Sequence, residues 1–117
     1  MTVLRIVANI AAEAPSEVQK FYTDLFDLGC LMDFGWIVTL GSEKRATTQV
    51  SLMSEGGSGT PVPDLSIEVD DVDSVYDRAR AMDCEITYAL TDEPWGVRRF
   101  FVADPTGKVL NVLSHKP

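Results

Sequence analysis

Asp104-Pro105-Thr106-Gly107 separates two apolar, aromatic-rich runs, Trp95-Gly96-Val97-Arg98-Arg99-Phe100-Phe101-Val102-Ala103 and Lys108-Val109-Leu110-Asn111-Val112. Each part of the tetrapeptide has a physical role. Pro105 presets φ for the second turn position, Asp104 accepts from nearby backbone N–H groups, and Gly107 tolerates positive φ. Strand-forming runs on both sides of such a turn predict a β-hairpin over residues 97–103 and 108–113.

Upstream, the chain repeats a pattern. Residues 4–10 alternate apolar with other side chains, and residues 64–69 do so more cleanly, the period of a half-buried strand. Helical spacing follows each. Val18, Phe21, Tyr22, Leu25 and Phe26 fall at i, i+3, i+4, i+7 and i+8 and are expected to form one core-facing stripe. Ser16 with Gln19 reads as a capping box and Gly29 as the stop. In the second helix Val72, Val75, Tyr76, Ala79 and Met82 form the stripe, with Asp70 or Asp71 as cap. Three strands are expected after each helix, near 31–33, 36–40 and 47–53 and then near 85–90, 97–103 and 108–113. The Gly- and Pro-rich residues 55–63 read as a linker between modules of about 1–55 and 62–117. The order is βαβββ twice, an α+β fold in one domain over residues 1–117.

The chain has 117 residues, 45% of them hydrophobic and 24% charged, the profile of a soluble globular protein. Its net charge of -8 argues against nucleic acid, which needs a basic patch. Long-range attraction would favour a cationic ligand, but solubility alone is the commoner reason for such a charge and the preferred one here. No run approaches the length of a membrane span and no apolar leader opens the chain, so no membrane partner and a cytoplasmic location are expected. Cys30 and Cys84 each follow a helix and read as buried thiols at equivalent positions.

The closing hairpin and the doubled βαβββ order resemble the vicinal oxygen chelate superfamily, which includes glyoxalase I, bleomycin-resistance proteins and extradiol dioxygenases. The resemblance implies a curved mixed sheet forming a cup, with helices outside and ligand inside, and a homodimer. Its metal-dependent members place His or Glu at four strand positions, which fall here on Arg5, about Ser51, Asp64 and Asn111. Arg5 is a permanent cation, and only Asp64 is a good donor for a borderline metal. No metal site and no cofactor are expected.

Alternation assigns the faces, since neighbours on a strand point opposite ways. Ile6, Ala8, Ile10, Val50, Leu52, Leu65, Ile67, Val69, Leu110 and Val112 should lie beneath helices. Arg5, Asn9, Ser51, Asp64, Glu68 and Asn111 then face the cup. Residues 97–103 are ambiguous, and the family's Trp-Gly-x-Arg-x-Phe pattern selects Arg98 and Phe100 as the inward pair, with Trp95 at the rim. Those nine residues are the candidate ligand-binding set. Trp36 reads as structural and His115 as a solvated tail residue. Three functions compete. The first is a metal-independent small-molecule binding protein that sequesters a drug or metabolite. The second is a metal-free lyase or isomerase with Glu68 or Asp64 as base. The third is a glyoxalase-like metalloenzyme, which the residues at the four positions oppose. The catalytic residues of any reaction stay unassigned.

Overall fold

The computed structural model describes residues 1–42 and 45–116. Among them the elements run β1 (Val3–Ala11), α1 (Pro15–Phe26), β2 (Gly29–Asp33), β3 (Ile37–Ser42), β4 (Arg45–Met53), β5 (Leu65–Val69), α2 (Val72–Ala81), β6 (Glu85–Asp92), β7 (Val97–Ala103) and β8 (Val109–His115). This is the βαβββ order twice over. Hydrogen bonds link the strands of one mixed sheet in the order β2-β3-β4-β1-β5-β8-β7-β6. The chain divides into two compact units, residues 7–62 and residues 1–6 with 63–117, so β1 contributes to both.

In the 7–62 unit, β1 runs parallel to β4 with Ala8 beside Val50 and Ala11 beside Met53. β3 is antiparallel to β4, and β2 pairs with β3 through an irregularity between Cys30 and Met32. Val38, Leu40 and Leu52 form the core, with Ile10, Val18, Tyr22, Leu28 and Val50 packed on it. α1 starts at Pro15, whose fixed φ suits the first helical turn, and Ala14 is an N-cap without a side-chain bond. Ser16 therefore lies inside the helix, and the expected capping box does not form. The helix stops at Asp27, which takes the left-handed conformation at φ 56°, ahead of Gly29. Only Val18 and Tyr22 of the expected stripe reach the core; Phe21, Leu25 and Phe26 are 53%, 62% and 59% exposed. Cys30 is likewise exposed, against expectation.

Residues 55–61 form a hydrogen-bonded loop, not a loose tether. Gly56 N–H donates to Thr60 O, Thr60 N–H to Gly57 O, and Gly59 N–H to Glu55 Oε1. Glycine is required at position 56, because a Cβ there would lie 2.2 Å from Pro61 O and 2.3 Å from Thr60 Oγ1.

In the other unit, β5 runs parallel to β8, which pairs antiparallel with β7, and β7 with β6. The chain start is tied in by Thr2 N–H donating to Asp70 Oδ1 at 2.8 Å and Asp70 N–H donating to Thr2 O at 3.1 Å. Leu4 and Ile6 are exposed, as is Ala8 further along β1, so of the apolar row of β1 only Ile10 lies beneath a helix. Asp71 caps α2 by accepting from Ser74 N–H. Val69, Val72, Ala79, Phe100 and Val112 form the core beneath it, joined by Ile67, Val75, Tyr76, Cys84 and Leu110. Met82, just past the last turn, is 67% exposed. The closing turn forms as its residues dictate. Asp104 Oδ1 accepts from Thr106 N–H, Thr106 Oγ1 and Lys108 N–H, and Gly107 sits at φ 87°. Those bonds hold the Asp104 carboxyl below the usual carboxylate range, the Thr106 hydroxyl being the largest cause.

Candidate functional site

The face of the 1–6/63–117 unit opposite α2 carries the polar side chains. Its membership follows from pairing: Ile67 and Val112 pack on the helix side, so Ser66 and Glu68 on β5 and Asn111, Leu113 and His115 on β8 point the other way. Ser66 lies beside Asn111 and Glu68 beside Leu113.

Two clusters occupy this face. In the first, Arg5 Nε donates to Glu68 Oε1 at 2.5 Å, and His115 Nδ1 lies 2.7 Å from Glu68 Oε2. Burial works to raise the Glu68 pKa, but the hydrogen bonds from His115 and Arg5 and their positive charges hold it below the usual carboxylate range. His115 is thus the last residue of β8 and bound to Glu68, not a loose tail residue. Farther along the strand, Asn111 is 7% exposed and its Nδ2 donates to Ser66 Oγ at 3.0 Å. Its Oδ1 is buried without a hydrogen-bond partner among the described residues.

The second cluster surrounds Arg99. Glu93 Oε2 accepts from Arg99 Nε and Nη2, each at 2.7 Å, with side-chain exposures of only 2% and 3% for Arg99 and Glu93. Phe101, Trp95 and Tyr88 place their ring centres 4.8, 5.0 and 5.3 Å from the guanidinium carbon. Tyr88 OH also donates to Glu93 Oε2 at 3.2 Å. The box of rings that suits a cationic guest holds the protein's own cation.

The expected pair Arg98 and Phe100 lies on the opposite side. The hairpin sets Phe101 beside Asn111 and Phe100 beside Val112, so Phe100 follows Val112 under α2, fully buried with its ring 4.9 Å from that of Tyr76. Arg98 reaches Asp73 on α2 at 2.9 Å and Asp92 at 3.1 Å. Trp95 is half-buried against Arg99. Asp64 is exposed ahead of β5, where Oδ2 accepts from Val109 N–H at 2.8 Å. Asn9 and Ser51 belong to the 7–62 unit, side by side on β1 and β4, and buried Ser51 shares a 2.8 Å hydrogen bond with Thr39. Of the nine candidates, the structure brings Arg5 and Glu68 into direct contact and sets Asn111 on the same face. Arg99, Glu93, Tyr88, Phe101, Ser66 and His115 were not among them.

The four family metal positions do not fit a divalent ion. Arg5 is a cation already paired with Glu68, Ser51 a neutral hydroxyl bonded to Thr39, Asp64 a lone carboxylate, and Asn111 an amide. Among the described residues no group of three or more His, Cys, Asp or Glu side chains comes together.

Two βαβββ repeats on one mixed sheet, with polar side chains on the face away from a helix, define a class of small α+β proteins. The chain belongs to the glyoxalase/bleomycin resistance protein/dioxygenase superfamily, whose sequence pattern matches residues 6–112. Solved structures share the fold. A superfamily member from Vibrio splendidus 12B01 is 21% identical at a TM-score of 0.69, covering 97% of this chain and 99% of its own. Methylmalonyl-CoA epimerase from Mycobacterium tuberculosis is 15% identical at 0.66, covering 98% and 88%. A protein described as NAD-dependent benzaldehyde dehydrogenase from Legionella pneumophila is 16% identical at 0.78, covering 95% and 99%. No curated protein matches the sequence.

Proposed function

We propose that this chain binds a small molecule on the face of the 1–6/63–117 unit opposite α2, with no metal at the four family positions. It sequesters a drug or metabolite and works as a homodimer. The observation that carries this reading is the buried, unpartnered Oδ1 of Asn111. A buried acceptor without a donor costs about 1–3 kcal/mol, and an N–H from a bound molecule removes that cost. His115, bonded to Glu68 through Nδ1, adds a second polar atom, Nε2, on the same face. The two residues lie four apart on β8, about 13 Å at ~3.3 Å per residue, a span that a drug-sized molecule bridges. The net charge of -8 attracts cations from a distance. Together these features favour a neutral or cationic ligand rich in N–H donors.

A thermal-shift and native mass-spectrometry screen of amines, amides and cationic drugs tests the reading on the wild type and on Asn111→Leu. Support is a compound that raises the wild-type Tm with concentration and leaves the variant unmoved. A screen in which nothing stabilises the wild type, or stabilises both equally, overturns it.

A second reading, a metal-free lyase or isomerase, draws on the Glu68–His115 contact. Glu68, held ionised by two donors, is a weak base, and Asp64 is spent on a backbone N–H. In that case the proton acceptor is His115, with Glu68 as its positioning residue. The chain has one histidine, so loss of turnover in His115→Gln with unchanged ligand binding would favour the enzyme.

A further inference from the structure

We propose that the outward flank of α1 is where a second copy of this chain docks, across a two-fold axis that sets the two helices antiparallel; the inference rests on the homodimer reading above. α1 carries more apolar surface than its own unit uses. Val18 and Tyr22 pack into the core, while Phe21, Leu25 and Phe26 remain 53%, 62% and 59% exposed. Phe21 and Leu25 are one turn apart and so adjoin on the helix surface. Phe21 stacks on Tyr22 with ring centres 5.4 Å apart, and Tyr22 lies 6.2 Å from Phe26, so the exposed rings are anchored on a side chain of the core. The three exposed side chains amount to roughly 300 Å² of apolar surface. That is already the size of the largest patch on many monomers. It supplies the apolar centre of an interface needing about 800 Å² per partner, with the rest from a polar rim.

Charge selects the occupant. Lys20 Nζ and Asp24 Oδ2 form an exposed pair at 2.6 Å, one position behind Phe21 and Leu25 respectively. In an isologous antiparallel pair, Phe21 of one copy meets Leu25 of the other, and Lys20 meets Asp24. Both rows are self-complementary, as a two-fold requires. An anionic lipid surface would instead repel a chain with net charge -8.

Sedimentation velocity on the full chain at micromolar concentrations tests this. The wild type should sediment at twice the chain mass, and Phe21→Glu/Leu25→Glu at the chain mass with unchanged far-ultraviolet circular dichroism. A second pair of variants leaves the apolar residues alone, in case the first misfolds. Asp24→Lys should weaken the dimer severalfold by setting like charges opposite, and Lys20→Asp added to it should restore the affinity. A monomeric wild type sinks both the homodimer reading and this interface. A dimer indifferent to both sets of variants sinks the interface alone and moves attention to the exposed Leu4 and Ile6 of β1.

Discussion

Replacing Glu93 with alanine strips a doubly hydrogen-bonded carboxylate from a guanidinium that is 2% exposed. Breaking a buried pair on one side costs about 3–5 kcal/mol, because the remaining charge is left without compensation. The three rings around Arg99 offset part of that, since each cation–π contact is worth roughly 0.5–2 kcal/mol and survives the change. The expected loss for Glu93→Ala is therefore about 3 kcal/mol. With ~2.1 cal/mol/K of unfolding entropy per residue, that lowers Tm by about 12 °C for a chain of 117 residues. Removing both charges in Glu93→Leu/Arg99→Met leaves no buried charge facing a lost counterion, so the double variant, though it gives up the ring contacts and the Tyr88 hydroxyl bond, melts above the single variant. Thermal and urea unfolding followed by circular dichroism measure each corner of the cycle. The reasoning fails if Glu93→Ala costs under about 1 kcal/mol, or if the double variant loses the sum of the two singles.

Asn111→Leu should leave stability unchanged or raise it by up to about 1 kcal/mol, since it deletes an orphaned acceptor along with one hydrogen bond; a drop beyond 2 kcal/mol in urea titration would show that the amide is needed for folding. Gly56→Ala should destabilise by about 1–3 kcal/mol or more, because the new Cβ meets backbone at Pro61 O, and a melting curve matching the wild type would contradict the loop geometry. Glu68 has a folded-state pKa below its unfolded value, so its contribution is present above about pH 4.3 and is lost as pH falls through the folded pKa. Denaturant midpoints measured from pH 6 to 3 should accordingly fall more steeply for the wild type than for Glu68→Gln, and parallel curves would count against the Arg5–Glu68–His115 chain.

The fold was legible because its turn and caps are local chemistry: Asp104, Gly107 and Asp71 each do what their side chains or backbone freedom dictate. The parity of β7 was legible too, though by a longer route. Once Leu110 and Val112 are placed beneath the helix, a hairpin turning at 104–107 pairs them with Val102 and Phe100, which must follow them. Resemblance to a local motif pointed to Arg98 and Phe100 instead, and the register overrules it. Continuing the same alternation from Asn111 through Leu113 reaches His115, which its nearness to the chain end disguised. α1 was overread for a different reason. Periodicity reports where apolar residues lie around a helix, but how wide a stripe the sheet covers depends on tertiary packing that no spacing records.

The division of β1 bears on how this protein can be taken apart. Residues 1–6 cluster with residues 63–117, and residues 7–62 form the other unit, so one strand serves two masters. Cleavage in the 55–63 loop would not release two complete modules. The C-terminal piece would lack the strand next to β5 and, with it, the Arg5 partner of Glu68. The N-terminal piece would carry that strand as an unsatisfied edge. Such fragments should be poorly folded alone and recover structure on mixing, so the gene, though it reads as a tandem duplication, encodes a lock whose key is cut from the opposite half.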